Sequence, residues 1–140
     1  MATKSDFTDQ EWKAMEKGVT GAGFLVSISD RDFTDTFGEV GAMASYLADE
    51  HEHSNSELIR ELASVHGSGF GLTASAKEVE EETLASLGSA TTALGSKAPE
   101  ELDAYRQLVL GVAEHVANAK SGVAESETAA IEKIKQAVGG

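Results

Sequence analysis

A chain of 140 residues with no cysteine and a net charge of −13 is long enough to bury a core without disulfide or metal staples. It excludes thiol nucleophiles and cysteine-ligated zinc or iron–sulfur sites. Its 11 basic against 24 acidic side chains create a field that repels phosphate backbones and anionic lipid surfaces, so neither nucleic acid nor a membrane is an expected partner.

Thr8-Asp9-Gln10-Glu11 has capping-box spacing: the Thr8 hydroxyl can accept from the Glu11 N–H while the Glu11 carboxylate reaches back. The helix it opens carries Trp12, Met15, Val19, Ala22 and Val26 on one stripe and is expected to end near Ser29. Gly18, Gly21 and Gly23 lie in that helix, where each costs about 1 kcal/mol relative to Ala. Close approach of another helix is the expected reason, and dimerisation through this face is left open. The longest apolar run, Gly21–Ile28, is interrupted by Ser27 and too short to span a bilayer. The opening MATKSDFTDQEW lacks a positive-then-apolar leader layout. A cytoplasmic protein is the expectation.

Ser29-Asp30-Arg31-Asp32 reads as a turn, and Phe33, Phe37, Val40, Ala44 and Leu47 then set the inward stripe of a second helix ending in Asp49-Glu50-His51-Glu52-His53. Ser54-Asn55-Ser56-Glu57 reads as another capping box, opening a short helix with Leu58, Leu62 and Val65 inward. His66–Gly71 is a flexible loop with Phe70 near its tip. Thr73 or Ser75 caps a fourth helix that buries Val79, Leu84, Leu87, Thr91 and Leu94, exposes Glu78, Glu80, Glu81 and Glu82, and ends at Gly95-Ser96. Pro99 is placed as the first residue of a fifth helix, with Glu100 and Glu101 beside the positive end of its dipole. Leu102, Tyr105, Val109, Val112, Val116 and Ala119 form its stripe, and Ser121-Gly122 stops it. A sixth helix has Glu125 and Glu127 in its first turn, Ile131, Ile134 and Val138 inward, and a Gly139-Gly140 end. No period-two pattern appears. The reading is all-α: one compact domain, 1–140, of about six helices built from antiparallel hairpins. A weak echo of layout links Phe24–Leu47 with Glu114–Ala137.

Glu50 and His53 share the i, i+3 spacing of a di-iron ligand pair, but such a site needs a second Glu-x-x-His. His66 and His115 are preceded at that distance by Ala63 and Val112. His51 and His53 therefore read as partners of a helix C-terminal dipole. Gly67, Gly69 and Gly71 follow a helix rather than a strand and no Lys succeeds them, so a connection is expected rather than a phosphate cradle. Glu78–Glu82 reads as a solvated face, and His115, beside Glu114, as a helix-flank residue. No catalytic constellation emerges. No catalytic residue, cofactor-binding residue, metal ligand or cofactor is assigned.

The turn Ala119-Lys120-Ser121-Gly122-Val123-Ala124-Glu125-Ser126-Glu127, followed by Ala130-Ile131-Glu132-Lys133-Ile134, resembles the TerB-like (tellurite-resistance-associated) helical family. That family repeats a helix ending in Asp-Gly, then a hydrophobic residue, a Ser or Thr cap, and a Glu in the next first turn. Gly122, Val123 and Glu127 match; Ser121 stands where the Asp is expected, and Ala124 replaces the cap. The opening from Phe7 through Asp30 and the Lys97–Leu110 helix extend the similarity of layout over most of the chain. The resemblance implies a compact fold of helical hairpins in a family associated with stress and metal resistance, whose acidic turn residues are suspected metal ligands. Asp30, less clearly Asp32, with Glu39 and Glu127, are the counterparts here. Ser121 removes one ligand from a site where a hard cation wants about six oxygens. The expectation is a non-enzymatic, stress-associated module whose partner is an unidentified protein. The alternative is a divalent-metal module using Asp30, Glu39 and Glu127.

Overall fold

The capping box at Thr8 forms as its spacing requires: the Glu11 N–H donates to Thr8 Oγ1 at 3.1 Å, and the Thr8 N–H to Glu11 Oε1 at 2.8 Å. The computed structural model describes residues 3–29, 36–54, 56–63, 75–118 and 125–139, with side chains at 27–29, 36–43, 76 and 125–127 outside the description. Among the described residues six helices are present: α1 (Asp9–Ser29), α2 (Thr36–His53), α3 (Glu57–Leu62), α4 (Ala76–Lys97), α5 (Leu102–Asn118) and α6 (Glu125–Ala137). Single 3-10 turns at Lys4–Asp6 and Pro99–Glu101 precede α1 and α5. The fold is an all-α bundle. Helix α1 lies at its centre against α4, α5 and α6, while α2 packs mainly on α5, with α3 beside it.

The stripe read on α1 is the buried one: Trp12, Met15, Val19, Ala22 and Val26, joined by Leu25, all lie in the core. Its glycines are there for close approach. A Cβ on Gly18 would stand 2.5 Å from Tyr105 Oη and 2.8 Å from Leu87 Cδ2; one on Gly21 would meet the Thr83 side chain, with Cγ2 at 3.0 Å. Helices α4 and α5 thus occupy the space over Gly18 and Gly21. The buried Tyr105 hydroxyl passes Gly18 and donates to Met15 O at 2.9 Å, and burial raises its pKa well above the ordinary tyrosine range.

Elsewhere local chemistry moved boundaries that periodicity had placed. Helix α3 is capped by Ser56 rather than Ser54. Ser56 Oγ accepts from the Ile59 N–H at 3.2 Å, whereas Ser54 Oγ accepts from the Ser56 N–H. Starting two residues later buries Ile59 with Leu58 and Leu62. Helix α4 is capped by Ser75 through the Glu78 N–H and runs through Gly95-Ser96 to Lys97. Proline ends it: Pro99 bars the preceding residue from helical geometry, and Ala98 sits at φ −150°, ψ 63°. Pro99 in turn opens the 3-10 turn rather than α5 itself.

Glu101, expected to face the dipole, points inward and is only 8% exposed. On α2, Leu47 is buried but Ala44 is exposed; Tyr46 is half-buried and makes the contact with α5. The buried face of α5 is broader than its predicted stripe, adding Leu108, Ala113 and Ala117. At the far end of α6, Gly139 takes φ +76°, the left-handed value that favours glycine. Arg106 Nε donates to Val138 O at 2.6 Å there, tying this end to α5. The stretches around Asp30–Phe33, Val65–Gly71 and Ala119–Ala124, each carrying an expectation from sequence, lie outside the described residues.

Candidate functional site

Gly111 interrupts the apolar run of α5 and leaves a notch, which the phenol of Tyr46 fills from α2. A Cβ at 111 would overlap the Tyr46 ring, with Cε1 at 2.9 Å and Oη nearer still. One turn further along α5, His115 stacks on the same ring, with centroids 4.3 Å apart and planes 30° from parallel. The imidazole is oriented by its own helix: Nδ1–H donates to Gly111 O at 2.8 Å, since a carbonyl only accepts. Burial, the charges of Glu50 and Glu114, a hydrogen bond to Glu50 and the charge of Asp49, in that order, push the Tyr46 phenol from 10.0 to about 12. Tyr46 is therefore a proton donor at neutral pH. It is not a base.

This seam gathers Asp49 and Glu50 from α2 and Glu114 and His115 from α5. Among the described residues no Lys or Arg pairs with Glu50 or Glu114, while Asp49 faces His53, Nδ1 to Oδ1 at 3.2 Å. His53 Nδ1 also lies 3.1 Å from Asp49 O, and His51 Nδ1 donates to Arg60 O at 2.8 Å. Both imidazoles occupy the last turn of α2, where the dipole reading put them.

A second surface lies on the outward side of α4. Ala85, Gly88, Ser89, Thr92, Ala93 and Ser96, with Glu11 of α1, line an open groove of about 660 Å³. A Cβ added at Gly88 or Gly95 would meet nothing within 4 Å. Both Thr91 and Thr92 turn their hydroxyls onto Gly88 O, at 3.1 and 2.8 Å, so the groove floor is small and its polar groups are partly satisfied from within. At its rim, bonds from Lys97 and from the Thr8 backbone hold the Glu11 carboxyl below the usual carboxylate range. The acidic half of α4 is more than a solvated face. Glu82 pairs with Lys17 of α1 at 3.0 Å, and Glu80 with Lys133 of α6.

Of the suggested metal ligands, Asp30 and Asp32 lie outside the described residues, and Glu39 and Glu127 fall on α2 and α6 at positions whose side chains are outside the description. Among the described residues no three His, Asp or Glu side chains are grouped to hold a metal. The loop carrying Gly67, Gly69, Phe70 and Gly71 also lies outside them. No protein-family model, curated protein or solved structure matches the chain. Sequence reading took His115 for a flank residue and did not single out Tyr46. Gly111 and His115, one turn apart on α5, were the available signal.

Proposed function

We propose that this chain is a non-enzymatic helical interaction module whose partner is another protein, of the stress-associated kind that the TerB-like resemblance implies. The outward face of α4 carries the proposal. Two helical glycines, Gly88 and Gly95, have open space above them, although each costs about 1 kcal/mol against Ala in a helix. Gly18 and Gly21 of α1 and Gly111 of α5 are filled from within the chain; these two are not, and a bare backbone bordered by Ala85, Ser89 and Thr92 accommodates a partner helix at close range. A cytoplasmic setting belongs to the same proposal. Among the described residues no helix is long and apolar enough to cross a membrane.

Gly88→Leu tests it. A Cβ there meets nothing within 4 Å and leucine favours a helix over glycine, so the melting temperature is expected to hold or rise while affinity-captured partners of the wild-type chain are lost. Capture that is equal with both proteins overturns the role of this face. The alternative, a divalent-metal module using Asp30, Glu39 and Glu127, rests on the resemblance alone. It requires a saturable rise in the melting temperature of chelator-treated protein with Ca²⁺ or Mn²⁺, abolished by Asp30→Asn.

A further inference from the structure

On the reading of the α4 face as a partner surface, we infer that residues 3–7 form a strap at one end of its groove and that Lys97 is the clasp that holds the strap down. The strap is bonded to itself. The Thr3 N–H donates to Asp6 Oδ2 at 2.8 Å, the Asp6 N–H to Thr3 O at 3.0 Å and the Phe7 N–H to Lys4 O at 3.2 Å, while the Thr3 and Ser5 hydroxyls lie 2.8 Å apart. Among the described residues no hydrogen bond joins residues 3–7 to the bundle. Phe7 is extended, at φ −118°, ψ 151°, and the capping box of α1 begins at the next residue. A swing between Phe7 and Thr8 therefore breaks no backbone hydrogen bond and leaves α1 capped.

Side chains alone attach the strap. Phe7, 8% exposed, and Trp12, 5% exposed, take the places before the Thr8 cap and four residues after it, the layout of a hydrophobic staple. Lys4 Nζ lies 5.5 Å from the Trp12 ring centroid. From the last residue of α4, Lys97 reaches both halves of the same cap. Its ammonium stands 5.9 Å from the Phe7 ring centroid and pairs with Glu11 Oε1, the atom that also accepts from the Thr8 N–H.

Glu11 also lines the groove, as does Ser96, the neighbour of Lys97. One cation thus joins strap, cap and groove. Neutralising it removes the ring contact and the ion pair together. With the strap off, the seat of Phe7 and the ring of Trp12 add apolar surface at that end of the groove; with the strap down, that surface is masked.

Trp12 is the chain's single tryptophan, and Lys4 is a tryptic site within the strap. Lys97→Gln is expected to speed trypsin cleavage after Lys4 about three- to tenfold. It should also raise acrylamide quenching of Trp12 and the binding of Nile red, an uncharged apolar dye, while cleavage after Arg106 of α5 stays as slow as in the wild type. Lys97→Arg keeps the cation and should match the wild type. Lys133→Gln removes another cross-helix pair of α4 and should leave Lys4 and Trp12 unchanged. In a Phe7→Ala background the clasp has no ring to hold, so Lys97→Gln should add no further cleavage there. The strap is overturned if Lys97→Gln matches the wild type or Lys133→Gln at Lys4, or if Lys97→Arg behaves like Lys97→Gln. It is equally overturned if Arg106 is cut in step with Lys4, or if the effects of Phe7→Ala and Lys97→Gln add. None of these readouts needs a partner, so their failure is distinct from retained capture by Gly88→Leu, which bears on the α4 face alone.

Discussion

Thr83 is fully buried against Gly21, and among the described residues its hydroxyl has no hydrogen-bond partner. A desolvated, unpaired hydroxyl costs about 1–3 kcal/mol, whereas the methyl of a near-isosteric Val keeps the contact without that cost. Thr83→Val is therefore expected to raise the denaturant midpoint. Gly21→Leu should lower it, by about 1–3 kcal/mol of overpacking, since the Thr83 side chain already occupies that space. The two phenols make a second expectation. Tyr46 rises from 10.0 to about 12 and burial moves Tyr105 in the same direction, so the folded state holds protons that the unfolded chain releases. Their stabilising effect is complete below about pH 10 and is lost as pH climbs through the folded values. Ultraviolet titration should find no tyrosinate at pH 10 in folded protein, and its appearance should coincide with alkaline unfolding. A normal half-titration there by either tyrosine would contradict the packing at Gly18 or at Gly111.

Among the elements, α3 depends most on a single side chain. Six residues are too few for a helix that stands on its own propensity. Ser56 both caps it and supplies the hydrogen bond to Glu101. Ser56→Ala should cost more than the roughly 1 kcal/mol of an ordinary cap, because a buried carboxylate loses its donor as well; chemical denaturation compared with Glu101→Gln measures the excess. This helix also shows what sequence reading can and cannot supply. Helices α1 and α5 were legible because their apolar residues recur at helical spacing over four or more turns. The start of α3 was not, because Ser54 and Ser56 both precede an acceptable first turn and the choice falls to Glu101, 45 residues away. The end of α4 was read from Gly95, but glycine only permits a stop while Pro99 imposes one. The Tyr46–His115 seam was hidden for a related reason: it joins a tyrosine and a histidine on different helices, and nothing local to either announces the other.

At the scale of the molecule, α1 draws its burial from partners late in the chain. Its glycine notches receive Leu87 and Thr83 from α4 and Tyr105 from α5. A fragment ending at Lys97 keeps α4 but loses Tyr105, Val109 and Val112. Its circular dichroism should show much less helix than α1 to α4 contribute in the whole chain, with recovery when a 98–140 peptide is added. Retention of full helicity by the fragment would show that α1 and α4 suffice. The acidic balance works at this scale too. Eleven basic residues cannot neutralise 24 acidic ones, so those that bridge helices, Lys17, Lys97 and Lys133, are placed where α4 meets its neighbours.

The hydrogen bond from Tyr105 to the carbonyl of Met15 has a further consequence, in time rather than in energy. Its ends are 90 residues apart, which at roughly 5–20 residues per second of synthesis separates their emergence by on the order of 5–20 s. Until α4 emerges the ribosome holds an amphipathic helix whose notches have nothing to receive, and the place of Tyr105 beside Gly18 stays unfilled for longer still. The nascent chain carries Trp12, Met15, Val19 and Val26 uncovered, and a chaperone that binds short apolar segments meets α1 before α5 does.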